Sequence, residues 1–173
     1  MNIVIHTYSD APEERRNNAE IIKTALGDNA YIYVGGTNTC ENWVNILKEY
    51  STESLLLLED DIRLGDNFLD RIQEYINLYP NFVLNLYFNS GNTETKLFPA
   101  TRYVWNQCVY FPKDLVPKLI KPSEEFIKSY PYFVRKNDYA IQIRHALCKN
   151  NADFYAVEPK LVTTLGYTST IGS

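Results

Sequence analysis

The stretch Ser54-Leu55-Leu56-Leu57-Leu58-Glu59-Asp60-Asp61 sets four consecutive leucines directly against three carboxylates. An apolar run of this length, with no polar alternation, fits a strand covered on both faces, as in the middle of a parallel sheet. In an open α/β sheet, ligands collect beyond the carboxyl ends of the strands. Three carboxylates at such an end repel one another unless a cation or water offsets their charge. A hard divalent ion, Mn²⁺ or Mg²⁺, takes oxygen ligands and leaves positions open for phosphate oxygens. The plainer alternative is that Asp60 and Asp61 end the strand and cap the turn into Ile62-Arg63-Leu64.

Working outward, strand-like and helix-like segments alternate. Ile3-Val4-Ile5 is a short apolar strand. Asp10-Ala11-Pro12-Glu13 reads as a capping box with Pro12 in the first turn, opening a helix to about Leu26. A strand over Ala30 to Val34 ends at Gly35-Gly36, and Trp43, Ile46, Leu47 and Tyr50 then share one helical face. After the carboxylates, Phe68, Ile72, Tyr75, Ile76 and Tyr79 mark another helix, and Phe82 to Phe88 a strand. This order predicts a doubly wound α/β layout. Beyond it, Trp105 to Phe111 reads as a strand, Pro112 opens a helix to about Ile120, Asp138 to Lys149 is helical, and Phe154 to Val157 is a strand. The tail from Pro159 reads as a loop. The second half is therefore expected to be α+β, grafted onto the sheet with antiparallel pairing.

Composition narrows the function classes. The chain has 173 residues, 45% hydrophobic and 22% charged, enough for one folded domain with a real core. The net charge of -4 and pI near 5.2, without a dense Lys/Arg run, argue against gripping a long nucleic-acid backbone. Fourteen tyrosines offer flat faces with polar tips, suited to stacking on sugars or bases and equally to packing at the sheet–helix boundary. Cys40, Cys108 and Cys148 have no framework or CxxC spacing, which suits a reducing compartment and argues against zinc. The start, Met1-Asn2-Ile3-Val4-Ile5-His6, reads as a strand and not a signal peptide, and no apolar run is long enough to span a bilayer. A cytoplasmic location, bacterial or in a phage-infected host, is expected. No Walker-type loop, G-x-G-x-x-G or G-x-S-x-G turn is present.

Leu57-Leu58-Glu59-Asp60-Asp61-Ile62, followed by a helix, resembles the "LEDD" segment of GT-A-fold glycosyltransferases, especially the lipopolysaccharide-type (family 25) enzymes and their small bacterial and phage relatives. The resemblance implies a single-domain, Rossmann-like α/β fold with a mixed sheet flanked by helices over 1–173. Its nucleotide-sugar half would be 1–90 and its acceptor-side half 91–173. It implies that Asp61 binds the metal as part of a DXD element and that Glu59 holds the ribose or a metal-bound water. Asp60 would face the donor sugar or support the turn. Thr7 and Tyr8, after the first strand, would border the base. Asn42 would lie on a helix against the nucleotide, and Arg15 or Arg16 would reach the diphosphate or stay solvated. Trp105 to Pro112, with Gln107 and Cys108 where relatives often have glycine, resembles the floor of the sugar pocket.

Asn137-Asp138-Tyr139 opens a helix on the acceptor side. In inverting relatives an acidic residue at such a helix start is the general base, which the resemblance carries to Asp138; the plainer alternative is an N-cap. Pro159 to Ser169 resembles a C-terminal segment in which a histidine ligates the metal. Thr164 occupies that place, while Gly166 and Ser169 keep positions suited to phosphate. The activity implied is metal-dependent transfer from a nucleotide-diphosphate sugar, expected to be a UDP-sugar, to a hydroxyl of a glycan, lipid-linked glycan, protein or modified DNA base. The alternatives are a catalytically silent nucleotide-binding module, or a nucleotidyltransferase or phosphoesterase using the same carboxylates.

Overall fold

The leucine run is wholly out of solvent, with Leu55 to Leu58 each at 0% exposure. The computed structural model describes residues 1–88, 93–104 and 106–166. Their order is β1 (Asn2–Tyr8), α1 (Glu13–Leu26), β2 (Ala30–Gly35), α2 (Thr39–Glu49), β3 (Leu55–Glu59), β4 (Ile62–Leu64), α3 (Phe68–Leu78), β5 (Val83–Asn85), β6 (Lys96–Phe98), β7 (Cys108–Phe111), α4 (Val116–Ser129), α5 (Pro131–Arg135), α6 (Tyr139–Lys149), β8 (Phe154–Ala156) and β9 (Val162–Thr164). Seven strands form one sheet in the order β2-β1-β3-β7-β5-β8-β6, and β4 pairs with β9 in a small second one.

The expected single-domain α/β architecture, a mixed sheet flanked by helices, is what the chain forms. β2, β1 and β3 run parallel. β7 then enters antiparallel between β3 and β5, so strands from the two halves of the chain interleave. Because neighbouring residues of a strand point to opposite faces, the leucines divide between two cores. Leu55 and Leu57 join Trp43, Ile46, Leu47 and residues of α4 and α6. Leu56 and Leu58 join Ile22 and Leu26 of α1 and Phe68 and Ile72 of α3. A strand buried on both faces has no use for polar alternation, hence the unbroken run.

Several local expectations are corrected. Asp10 does not cap α1: the residue before the helix is Pro12, with no side-chain cap, because Ala11 and Pro12 separate Asp10 from the first turn. The helix expected from Pro112 begins at Val116 and runs through Pro122 to Ser129. Proline at 122 has no N–H for the carbonyl of Lys118 four residues back. That carbonyl instead accepts from Asn150 Nδ2 at 3.2 Å, so the helix continues. The strand expected over Phe82 to Phe88 is regular only over Val83–Asn85. Trp105, expected to start a strand, lies outside the described residues. The supposed tail loop contains β9, matched to β4 by the register Ile62 with Thr164 and Leu64 with Val162.

Candidate active site

At the carboxyl edge of β1, β2 and β3, a cleft is lined by His6, Tyr8, Asp10, Arg15, Thr37, Thr39, Glu59, Asn137 and Tyr139. The three carboxylates separate into three environments there.

Asp60 points down into the protein. It is fully buried and accepts from Thr7 Oγ1 at 2.6 Å, from Arg15 Nε at 2.6 Å and from the second Arg15 nitrogen, Nη2. Its backbone carbonyl accepts from Asn18 Nδ2 at 2.8 Å, which also donates to the Ile62 carbonyl. Arg15 and Asn18, one turn apart on α1, thus clamp the chain as it leaves β3. Both carboxylate oxygens of Asp60 are thus engaged beneath the cleft, and its backbone is tied to α1 at the turn after β3. Thr7 is likewise buried under the site with its hydroxyl on Asp60. Burial works against the charge of Arg15, but its hydrogen bond to and attraction by Asp60, with Asp61 and Tyr8 adding, more than offset this and raise its pKa. Arg15 also donates to Tyr8 Oη at 2.8 Å and lines the cleft, whereas Arg16 is exposed.

Glu59 faces the cleft. It accepts from Asn106 Nδ2 at 3.3 Å, and its Oε1 lies 3.6 Å from His6 Nδ1, just beyond hydrogen-bond reach. Burial pushes its carboxyl above the usual carboxylate range; His6 pulls it down, and Asp61 and Asp60 push it further up. Asp61 is partly exposed, with one oxygen 3.9 Å from Arg15 Nη2. The other, Oδ1, is buried and has no hydrogen-bond partner among the described residues. Burial raises its carboxyl, Arg15 pulls it back, and Asp60 raises it again.

Such an orphaned oxygen calls for an explanation. A divalent cation fits it, since it would satisfy the lone pairs and reverse the burial that favours the neutral acid. Among the described residues no group of three or more His, Cys, Asp or Glu side chains is placed to hold a metal. Asp61 would therefore hold one largely together with water and phosphate oxygens. The tail reaches this position as well: Leu165 N–H donates to the Asp61 carbonyl at 2.8 Å. Thr164 is exposed, its hydroxyl 3.3 Å from Tyr87 Oη. Gly166 is exposed with φ of 68°, a conformation that favours glycine. Ser169 lies outside the described residues.

Asn42 is almost fully buried and lies behind the residues that line the cleft. Its Nδ2 donates to the Gly36 carbonyl at 2.7 Å and sits 3.2 Å from His6 Nε2, so it fixes the loop that carries Thr37. A β-carbon on Gly35 would fall within the Asn42 side chain. Gly35→Ala is accordingly expected to cost about 1–3 kcal/mol, and Asn42→Ala in the same chain to restore much of it. Denaturant melts of the two single variants and the double variant check this, and simple additivity would contradict it.

Gln107 is half-buried. Its backbone carbonyl accepts from Glu59 N–H at 2.9 Å, while its side-chain Oε1 is buried without a partner. Asp138 caps α6, accepting from Ile141 N–H at 3.3 Å. It does not line the cleft, although its neighbours Asn137 and Tyr139 do.

Sequence reasoning missed His6, Tyr139 and Tyr103. His6 is isolated in sequence, but parallel register sets it opposite Glu59. Tyr139 packs edge-on to the His6 ring at 5.7 Å. Buried Tyr103 has its hydroxyl pushed well up by burial, with Glu59 and Cys108 contributing. Among the described residues, the buried polar atoms without partners on this side of the sheet include His6 Nδ1, Asp61 Oδ1, Gln107 Oε1 and the hydroxyls of Tyr103 and Tyr139.

Fold and site define a mixed α/β domain with a polar, carboxylate-bearing cleft at the carboxyl edge of its sheet. No family model matches the chain, and no curated protein matches it significantly. Among solved structures it is similar in fold to A197 from STIV, with 10% identity over 91% of this chain and 82% of that one and a TM-score of 0.54. A glycosyltransferase involved in the glycosylation of the major capsid of PBCV-1 also matches, with 13% identity over 98% and 95% of the two chains and a TM-score of 0.44. Among the described residues no helix is long and apolar enough to cross a membrane.

Proposed function

We propose that this chain is a glycosyltransferase that moves a sugar from a nucleotide-diphosphate donor, a UDP-sugar first among candidates, to an acceptor hydroxyl. The observation that carries the reading is Asp61: a carboxylate just past the end of the buried strand β3, with one oxygen buried and unpartnered among the described residues, beside a cleft lined by Glu59 and Arg15. Asp61 is the metal-holding residue in this scheme, and Mn²⁺ or Mg²⁺ held there would neutralise the diphosphate leaving group. Glu59 accepts hydroxyl donors from the ligand, and Tyr8 and Thr37 border the entering nucleotide. Thr7, Asp60, Arg15 and Asn42 hold the edge of the sheet in shape, which preorganises the groups that touch substrate. Gly166, beside the Asp61 backbone, suits a close approach of phosphate, as does Ser169.

Asp138 is the proposed general base, taking the proton from the acceptor hydroxyl, which leads to inversion at the anomeric carbon. Asparagine is as good an N-cap as aspartate, so Asp138→Asn separates the two roles. It is expected to leave donor binding and α6 intact while lowering transfer by about 10²–10⁴-fold. Equal loss of donor binding would make Asp138 a structural residue only. One observation favours a second reading, a nucleotide-binding module without turnover: Thr164 stands where the resembled segment has a metal-ligating histidine. Incubation with a panel of sugar-nucleotides and Mn²⁺ distinguishes the two. Release of free nucleoside diphosphate supports the transferase, thermal stabilisation without release supports the silent module, and neither effect rejects both.

A further inference from the structure

His6 is 2% exposed, yet it reaches the wall of the cleft. Its strand is paired on both sides, with Tyr33 of β2 opposite it in one ladder and Glu59 of β3 in the other. Its ring lies edge-on to Tyr139 at 5.7 Å and tilted to Tyr33 at 6.2 Å. Backbone and ring are therefore held, and the groups facing the two ring nitrogens decide where the proton sits. Asn42 Nδ2 donates to the Gly36 carbonyl at 2.7 Å and lies 3.2 Å from His6 Nε2. A carbonyl can only accept, so the amide nitrogen of Asn42, and not its oxygen, must face this pair. Its second hydrogen points to Nε2, which must then accept it. A neutral imidazole accepts at one nitrogen and donates at the other, so the proton belongs on Nδ1. Nδ1 is buried and has no hydrogen-bond partner among the described residues; Glu59 Oε1 stands 3.6 Å from it. Asn106 Nδ2 donates to the same Oε1 at 3.3 Å. Both approaches fall on Oε1, which leaves Oε2 for a ligand.

We propose that His6 is a positioning residue: as the Nδ1–H tautomer set by Asn42 and Gly36, it steadies Glu59 through Oε1 and presents Oε2 to the hydroxyls of a bound nucleotide. A shift of about 0.5 Å in the Glu59 side chain brings Nδ1 and Oε1 within hydrogen-bond range, and contacts of this kind tighten when a ligand closes a site. The adjustment falls to Glu59, because the His6 ring is boxed in by Tyr33, Asn42 and Tyr139. Asn42 thereby acts on the cleft from behind it, through the histidine. The inference rests on the reading of Glu59 as an acceptor for ligand hydroxyls.

Two polar variants separate the functions of the two nitrogens. The amide nitrogen of asparagine falls where histidine has Nδ1, and the amide oxygen of glutamine reaches the place of Nε2. His6→Asn thus keeps a donor for Glu59 and withdraws the acceptor from Asn42, whereas His6→Gln does the reverse. Isothermal titration with UDP and Mn²⁺, together with melting temperatures, is read on the wild type and both variants. His6→Gln is expected to melt close to the wild type and to bind UDP about tenfold more weakly; His6→Asn is expected to melt lower and to bind within about threefold of the wild type. A residue that only supports the fold loses binding in the order in which it loses stability. Affinities that follow the melting temperatures therefore overturn the proposal, as do affinities unchanged in both variants. The ligand-free protein gives an independent check. NMR of the imidazole nitrogens should show wild-type His6 protonated at Nδ1 alone. The Glu59 carboxyl carbon should resonate near its wild-type position in His6→Asn and be displaced in His6→Gln. A proton on Nε2, or the opposite order of displacement, overturns the proposal whether or not UDP binds. A wild type that shows these signals but takes up no UDP upholds the positioning of Glu59 and counts against the transferase reading instead.

Discussion

Asp61→Asn is expected to reduce sugar transfer on the order of 10²–10³-fold while making the ligand-free protein more stable. The two effects share one cause. Asp61 Oδ1 is buried without a partner, and its carboxyl is held above the usual range by burial, against Arg15 and with Asp60. A negative charge in that position costs the empty protein stability and is useful only when a cation meets it. The amide keeps the shape and removes the charge, so a gain on the order of 1 kcal/mol is expected without ligand, about 2–4 °C in Tm for a chain of this size.

The pH dependence follows from the direction of the shift. A raised carboxyl keeps its proton in the folded state at pH values where the unfolded chain has released it. The native state then binds more protons, and stability falls as pH climbs from the ordinary carboxylate value through the raised one. Asp61→Asn has no such proton to lose, so its melting temperature should vary less across that window. Glu59, raised in the same direction, leaves a residual slope. Adding Mn²⁺ with nucleotide should raise the Tm of the wild type and not that of the variant. A variant that turns over donor at the wild-type rate, or that is less stable than the wild type, would remove Asp61 from the metal role.

The parts of the fold legible in the sequence are those decided within a short window. Leu55 to Leu58 and the helical faces of α2 and α3 report burial locally. The parts that were not legible depend on pairing across long separations. β4 and β9 are three residues each and define one another, Ile62 meeting Thr164; neither has a pattern of its own. Pro122 carries the ordinary signal for a helix end, and it is Asn150, just past the end of α6, that takes up the freed carbonyl. The site divides in the same way. Glu59 and Asp61 are where a strand end puts them, but the inward turn of Asp60 depends on α1 packing against this end of the sheet so that Arg15 and Asn18 reach it. His6 and Tyr139 belong to the cleft only because β1, β3 and α6 converge there.

The largest stability effect should come from that inward-facing carboxylate. Asp60→Ala leaves the Arg15 guanidinium, 8% exposed, in the protein interior without its main partner, and deprives Thr7 Oγ1 of its acceptor. Removing one member of a buried pair strands the other, and a loss of about 3–5 kcal/mol is expected. Arg15→Met alone should be costly for the mirrored reason, an uncompensated Asp60. Removing both charges is different in kind: the desolvation of each ion disappears along with their attraction, and an apolar side chain can occupy the space of the guanidinium stem. Asp60→Ala/Arg15→Met should therefore be more stable than Asp60→Ala by about 1–3 kcal/mol, a non-additivity typical of groups in direct contact. Urea unfolding of the four proteins in this cycle measures it, with near-additive losses as the contrary result. The double variant also bears on the cleft. If Asp60 and Arg15 act by holding the carboxyl edge of β3 in place, a folded double variant should bind donor more weakly than wild type even though Glu59 and Asp61 are unchanged. Undiminished binding would mean that the pair stabilises the domain without shaping its site.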